Sequence, residues 1–207
     1  MSNNSIAIIN YGMGNLRSLE KAFIKIGAQV MVTDQRQAIE PAGKIVLPGV
    51  GAFGEGMANL KRLDLIGPLN ALILEKKKKI LGICLGMQLF GEKSYEMEET
   101  PGLNWIRGTV NRLDAKTVKI PHVGWNNITM TNPSPLLNHI PDQTDFYFVH
   151  SYYFRADGRY VTSTANHGIE FAASVQKENI FGCQFHPEKS QDFGLEFLSN
   201  FVNLTDD

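Results

Sequence analysis

Apolar and polar positions change rhythm several times along the chain. SIAIIN, from Ser5, reads as a strand closed by the turn residues of NYGMGN, and Leu16, Leu19, Phe23 and Ile26 then recur at helical spacing. Gly27 stops that helix, AQVMVT predicts a second strand, and KIVLPGVG predicts a third, ended by Pro48 and its glycines. Helical patterns follow near Met57 to Leu63 and near Leu65 to Glu75, with the Lys76 to Lys79 run at the negative end of the second. KKKKILGIC then predicts a fourth strand and LGMQLFG the start of a helix.

Strands alternating with helices predict a mostly parallel sheet, because crossover helices cover both of its faces. The second half differs. GTVNRL, VKIPHVGWNNITM, FYFVHSYYF, RYVTSTAN and IEFAASVQKENIFGCQF are β-rich runs between turn residues, and predict antiparallel additions on one edge. SQDFGLEFLSNFVNL closes the chain as a helix, with Phe193, Phe197, Leu198, Phe201 and Val202 on one face and Ser190 able to cap its start. No repeat, low-complexity tract or linker interrupts the 207 residues, so the expectation is one three-layer α/β domain spanning 1–207.

Composition removes whole classes of partner. A net charge of −1, from 20 basic and 21 acidic residues, gives no broad attraction for nucleic acid or anionic lipid. No stretch approaches the roughly 20 apolar residues that span a bilayer, and the polar start MSNNS lacks the layout of a secretory leader. The expectation is a cytoplasmic protein that meets small molecules or another protein, with no nucleic acid and no membrane. Cys84 and Cys183 could pair in principle, but a cytosolic chain of this size has little need of a disulfide, and no ligand cluster suggests a metal or other cofactor.

Cys84 stands between Gly82 and Gly86 where a strand pattern gives way to a helix pattern. One reading is a small buried thiol. The other is a nucleophile on a sharp strand-to-helix turn, the sulfur counterpart of the G-x-S-x-G elbow, in which flanking glycines relieve crowding against nearby backbone. A nucleophile needs a base, and GCQFHPEKS offers His186, with Glu188 two residues on and Pro187 restricting the backbone between them. Imidazole can take and return a proton while the carboxylate holds its tautomer. Alone, His186 and Glu188 read better as a surface pair, or Glu188 as a capping carboxylate ahead of the last helix; beside the elbow, chemistry is the favoured reading. Acyl transfer also needs oxyanion donors, and the backbone N–H groups of Gly49, Val50, Gly51 and Leu85 are candidates; a turn demanded only by the fold is the other reading of PGVG. Cys183 lies in an apolar strand pattern and reads as packing.

PGVGAFGEGM, GICLGMQLF and CQFHPEKS, in that order, resemble the class I, triad-type glutamine amidotransferases over most of the chain. NYGMGNLRS, PHVGWN and FYFVHSYY resemble more closely the branch of that family that supplies ammonia to a TIM-barrel cyclase in histidine biosynthesis. The resemblance implies Cys84 as nucleophile, His186 as acid/base, Glu188 as its orienting partner, and Gly86, Gln88, Tyr147, His150, Ser151 and Tyr152 around an L-glutamine pocket. It implies Asn15, Pro121, His122, Gly124, Trp125 and Lys189 toward a separate cyclase chain, as a heterodimer. Two other readings stay open: a glutaminase serving another acceptor, such as a sugar for a surface polysaccharide, and a noncatalytic scaffold.

Overall fold

The computed structural model describes residues 5–113, 116 and 118–205; the polar opening at residues 1–4 lies outside them. In the first half, β1 (Ser5–Ile9), α1 (Leu16–Lys25), β2 (Gln29–Thr33), α2 (Arg36–Ile39) and β3 (Lys44–Leu47) follow one another. After them come α3 (Phe53–Arg62), α4 (Ile66–Asn70) with a π-helical turn (Ala71–Glu75), β4 (Ile80–Ile83) and the one-turn helix α5 (Leu85–Gln88). The second half carries β5 (Lys93–Ser94), β6 (Thr100–Pro101), β7 (Gly108–Arg112), β8 (His122–Asn127), β9 (Thr129–Met130), β10 (Asp145–His150) and β11 (Tyr152–Ala156). It ends with β12 (Val161–Asn166), β13 (Glu170–Lys177), β14 (Ile180–Cys183) and α6 (Gln191–Val202).

The central sheet runs β2-β1-β3-β4-β14-β13-β12-β9, parallel from β2 through β14 and antiparallel beyond. Alternating side chains divide the core between its faces. Ile6, Ile8, Val46 and Leu81 meet Leu19 and Phe23 of α1 and Phe197, Leu198 and Phe201 of α6. Ile9, Ile45, Leu47 and Ile80 meet Phe53 and Leu60 of α3, Leu69 of α4, and Leu72 in the π-turn. Helices on both faces make the three expected layers.

Three expectations need correction. The β-rich runs do not all extend one edge: β8 and β10 pair as a two-stranded sheet, and β11-β7-β5-β6 form a four-stranded one. Strand β14 is not an antiparallel addition but pairs in parallel with β4, with Cys183 opposite Ile83. Its IFGC run is buried on both faces, as a central strand between helical layers must be. Phe193, in the first turn of α6, is 41% exposed, whereas Phe197 and Phe201 one and two turns on are fully buried.

Candidate functional site

Cys84 links β4 directly to α5 and has φ 54° and ψ −110°, a left-handed conformation that costs a residue with a side chain about 1–3 kcal/mol. Its N–H donates to the Cys183 carbonyl at 2.7 Å. A side chain on Gly82 would lie 2.6 Å from the Phe90 ring and 2.7 Å from the Gly86 carbonyl carbon. At Gly86 a methyl would overlap the carbonyl oxygen of Leu47, a backbone atom that cannot rotate away. Gly86, expected at the border of a substrate pocket, therefore has its bare side against the end of β3. Leu85 is the first helical residue, so its N–H has no partner within α5.

The strand beside β4 delivers the second group. From β14 the chain runs through Gln184 and Phe185 to His186, whose N–H donates to the Tyr147 carbonyl at 2.8 Å. The hydroxyl of Ser190 donates to the His186 carbonyl at 2.7 Å and accepts from the Tyr147 N–H at 3.0 Å. Ser190 thus clamps the histidine segment to β10 instead of capping α6 with its side chain. Gly194 presses against the Pro187 carbonyl, where a methyl would overlap it, so α6 seats the turn from below.

His186 Nδ1 lies 2.9 Å from Glu188 Oε1, with the two side chains 2% and 5% exposed. Burial pushes this imidazole down, but the neighbouring Cys84 sulfur and the Glu188 carboxylate reverse that and raise it to about 10. Among the described residues, His186 Nε2 has no hydrogen-bond partner although it is buried, and the same is true of Glu188 Oε2. With Nδ1 held by Glu188, Nε2 is the ring nitrogen left for the neighbouring Cys84 sulfur. The three side chains expected to act together are brought together.

The PGVG turn is tied down from the loop after β1: the Tyr11 hydroxyl donates to the Pro48 carbonyl at 2.6 Å. Burial first, then the Cys84 sulfur, push that phenol above its ordinary range. A side chain on Gly49 would meet Leu85 Cβ at 2.6 Å and Tyr11 Oη at 2.8 Å, so this glycine packs on the elbow. Val50 projects to solvent at 48% exposure, and Gly51 takes φ +131° beside Met13. Glu96 escaped notice in the sequence, where only an acidic turn is visible; its Oε2 accepts from the Phe53 N–H at 2.7 Å and holds the start of α3 just beyond PGVG.

Gln88 is buried, and its Nε2 donates to the Tyr152 carbonyl at 2.8 Å and to Gln184 Oε1 at 2.9 Å. Residues 7–204 match the family model of the class-I glutamine amidotransferases. The chain belongs to that family. The amidotransferase is 48% identical over 200 residues to imidazole glycerol phosphate synthase subunit HisH 1 of Campylobacter jejuni, covering 96% of this chain and 100% of the relative. It is likewise 48% identical to the HisH subunit of Moorella thermoacetica, over 96% and 94% of the two chains. A solved structure of PurLQS from Thermotoga maritima has the same fold, with a TM-score of 0.75 at 18% identity over 96% and 97% of the chains.

In the amidotransferase, the remaining predicted residues divide between an exposed patch and a buried chain. Trp125 and Tyr147 meet edge to face at 6.1 Å, and Lys189 Nζ sits 5.4 Å from the Tyr147 ring centre. Val123 lies two residues before Trp125 on β8 and so shares its side of the strand, and Pro121 and Gly124 beside them are also at least partly exposed. Tyr147, expected near the glutamine pocket, packs with two of the residues expected at the partner. Asn15 is exposed and caps α1, its Oδ1 accepting from the Ser18 N–H at 3.3 Å. The Ser151 carbonyl accepts from the Leu113 N–H at 2.9 Å. Both cysteines are free, and Cys183 is a fully buried thiol pushed well up by burial. Among the described residues no helix is long and apolar enough to cross a membrane, and no His, Cys, Asp and Glu group is arranged to hold a metal.

His122 was expected at the partner face, but it is 4% exposed and turned inward. Its Nδ1 lies 3.0 Å from His150 Nε2, and His150 Nδ1 lies 2.9 Å from the Tyr152 carbonyl. A carbonyl only accepts, so His150 carries its proton on Nδ1, and its Nε2 accepts a hydrogen bond from the His122 Nδ1–H. His122 Nε2 then accepts from Asn126, 3.3 Å away. Both rings are neutral: burial, then His167, hold His122 at about 4, and burial, opposed by the Tyr152 hydrogen bond, holds His150 at about 3.

These depressed values set an acid limit. Unfolding lets both histidines take up protons below their ordinary 6.5, so their contribution to stability is complete above that pH and is lost as pH falls toward 4 and then 3. His186 is raised instead, and its contribution fades only as pH climbs toward 10. We expect His150 to steepen acid destabilisation by up to about 1.4 kcal/mol per pH unit. Urea denaturation from pH 7 to 4.5 should give His150→Gln a shallower slope than the wild type; parallel slopes would refute the neutral pair.

Proposed function

We propose that this amidotransferase is the glutaminase subunit of an imidazole glycerol phosphate synthase, working in the cytoplasm. The observation that carries the reading is the meeting of the Cys84 elbow with the buried His186–Glu188 pair, on adjacent parallel strands. The raised affinity of His186 keeps the proton given up by Cys84 on its imidazole, and the thiolate sulfur attacks the side-chain carboxamide carbon of L-glutamine. Negative charge then gathers on the amide oxygen. The Leu85 N–H and the Gly49–Gly51 backbone are the donors in reach, each worth roughly 3–4 kcal/mol when preorganised. As the C–N bond breaks, His186 returns the proton to nitrogen, ammonia leaves, and a glutamyl thioester remains. Water, deprotonated by His186, attacks that thioester and releases glutamate with the thiol restored.

Ammonia leaving the site is useful only inside a second enzyme. We infer a TIM-barrel cyclase that covers Val50 and the Trp125, Tyr147 and Lys189 face and uses ammonia to form imidazole glycerol phosphate and aminoimidazole carboxamide ribonucleotide. Val50 is exposed between the Gly49 and Gly51 donors, so a partner that covers it would press on the oxyanion loop. Glutamate release by the purified chain should rise roughly 100-fold when the barrel cyclase and its phosphoribulosyl-formimino acceptor are added, near the upper end of coupling between sites. Equal rates with and without the cyclase would overturn the reading, and stimulation only by a sugar acceptor would move the enzyme to another pathway.

A further inference from the structure

Gln184 follows β14 and is fully buried, its backbone N–H donating to the Ala173 carbonyl at 2.8 Å. Its side chain spans the two parts of the site. Oε1 accepts from Gln88 at 2.9 Å, and Nε2 lies 3.4 Å from the Cys84 sulfur as its donor. The orientation of both amides follows from one fixed atom. The Tyr152 carbonyl can only accept, so Gln88 must turn its NH2 group toward it. The second proton of that group points at Gln184, which must answer with oxygen. Its own NH2 group is then left facing the sulfur.

We propose that Gln184 is a further catalytic residue, an N–H donor that supports negative charge on Cys84 before and after the thioester stage. No proton leaves Gln184. The thiol proton moves to His186 Nε2, and the amide hydrogen bond strengthens as charge builds on sulfur, since bonds to charged groups are about twice as strong as neutral ones. Its side chain is also braced by Gln88, so the donor is in place before substrate arrives. The inference rests on the glutaminase reading for its biological use, but the N–H to sulfur contact has its own test.

Iodoacetamide alkylates a reactive thiol without needing a glutamine pocket, so its rate at Cys84 isolates the sulfur. The test compares the wild type, Gln184→Met and Gln184→Glu at pH 8, each checked by circular dichroism, with the cysteine located by mass spectrometry. Methionine removes the donor, and alkylation should slow roughly tenfold. Glutamate keeps the size of glutamine but sets an oxygen against the sulfur, and should slow it further. A packing role predicts the reverse order, because glutamate is the closer match in shape and hydrogen bonding. Wild-type rates in Gln184→Met, or a milder effect in Gln184→Glu than in Gln184→Met, would overturn the proposal. Should Gln184→Met fail to fold, Gln184→Leu takes its place. If the expected order holds while the complex releases no glutamate from glutamine, the glutaminase reading fails and the donor role of Gln184 stands.

Discussion

Cys84→Ala is expected to cut glutamine-dependent synthesis by the assembled complex by roughly four to six orders of magnitude, as removal of a nucleophile does in hydrolases of this logic. Synthesis from supplied ammonium should continue at the wild-type rate. The contrast follows from geometry: Cys84 is the only one of the two cysteines beside His186 Nε2, while Cys183 is sealed in the core with its thiol directed to the Phe185 carbonyl at 3.4 Å. Replacing His186 as well should add little, because a base without its nucleophile has no proton to take. Retained glutamine-dependent synthesis in Cys84→Ala would leave only the scaffold reading.

Gly86→Ala should be the most damaging substitution of a single hydrogen by a methyl. That methyl would overlap the Leu47 carbonyl oxygen, which belongs to β3 in the centre of the sheet and cannot yield without moving the strand. The expected cost is roughly 4 kcal/mol or more, in the range reserved for backbone strain and overpacking. Gly67→Ala is the comparison: nothing lies within 4 Å of the added atom, and in α4 alanine should stabilise by about 0.5–1 kcal/mol. Denaturant midpoints of the two variants should therefore move in opposite directions. A Gly86→Ala protein as stable as the wild type would mean that the elbow is not closed against β3.

The elbow and its base were legible because each is local. Cys84 between two glycines, and His186 two residues from Glu188, are patterns confined to a few positions. The class-I resemblance then supplied their meeting, which spacing alone could not. Gln184 was invisible for the opposite reason: its meaning lies in contacts with Cys84 and Gln88 about a hundred residues away, and a glutamine in a strand-end pattern gives no sign of them. His122 and Trp125 show a similar limit. They sit three residues apart on β8, and the alternation of a strand puts one under the sheet and the other outside it, a division that the motif PHVGWN does not mark. The placing of β14 was readable in part, since the unbroken apolar run IFGC is what a strand buried on both faces requires.

Because β14 is the last strand yet pairs with β4 near the middle of the sheet, a ribosome exposes the thiol long before it delivers the imidazole. A nascent chain that has passed Cys84 but not yet reached His186 carries a nucleophile without its base. The two reacting groups come together only once the sheet has closed across that pair of strands.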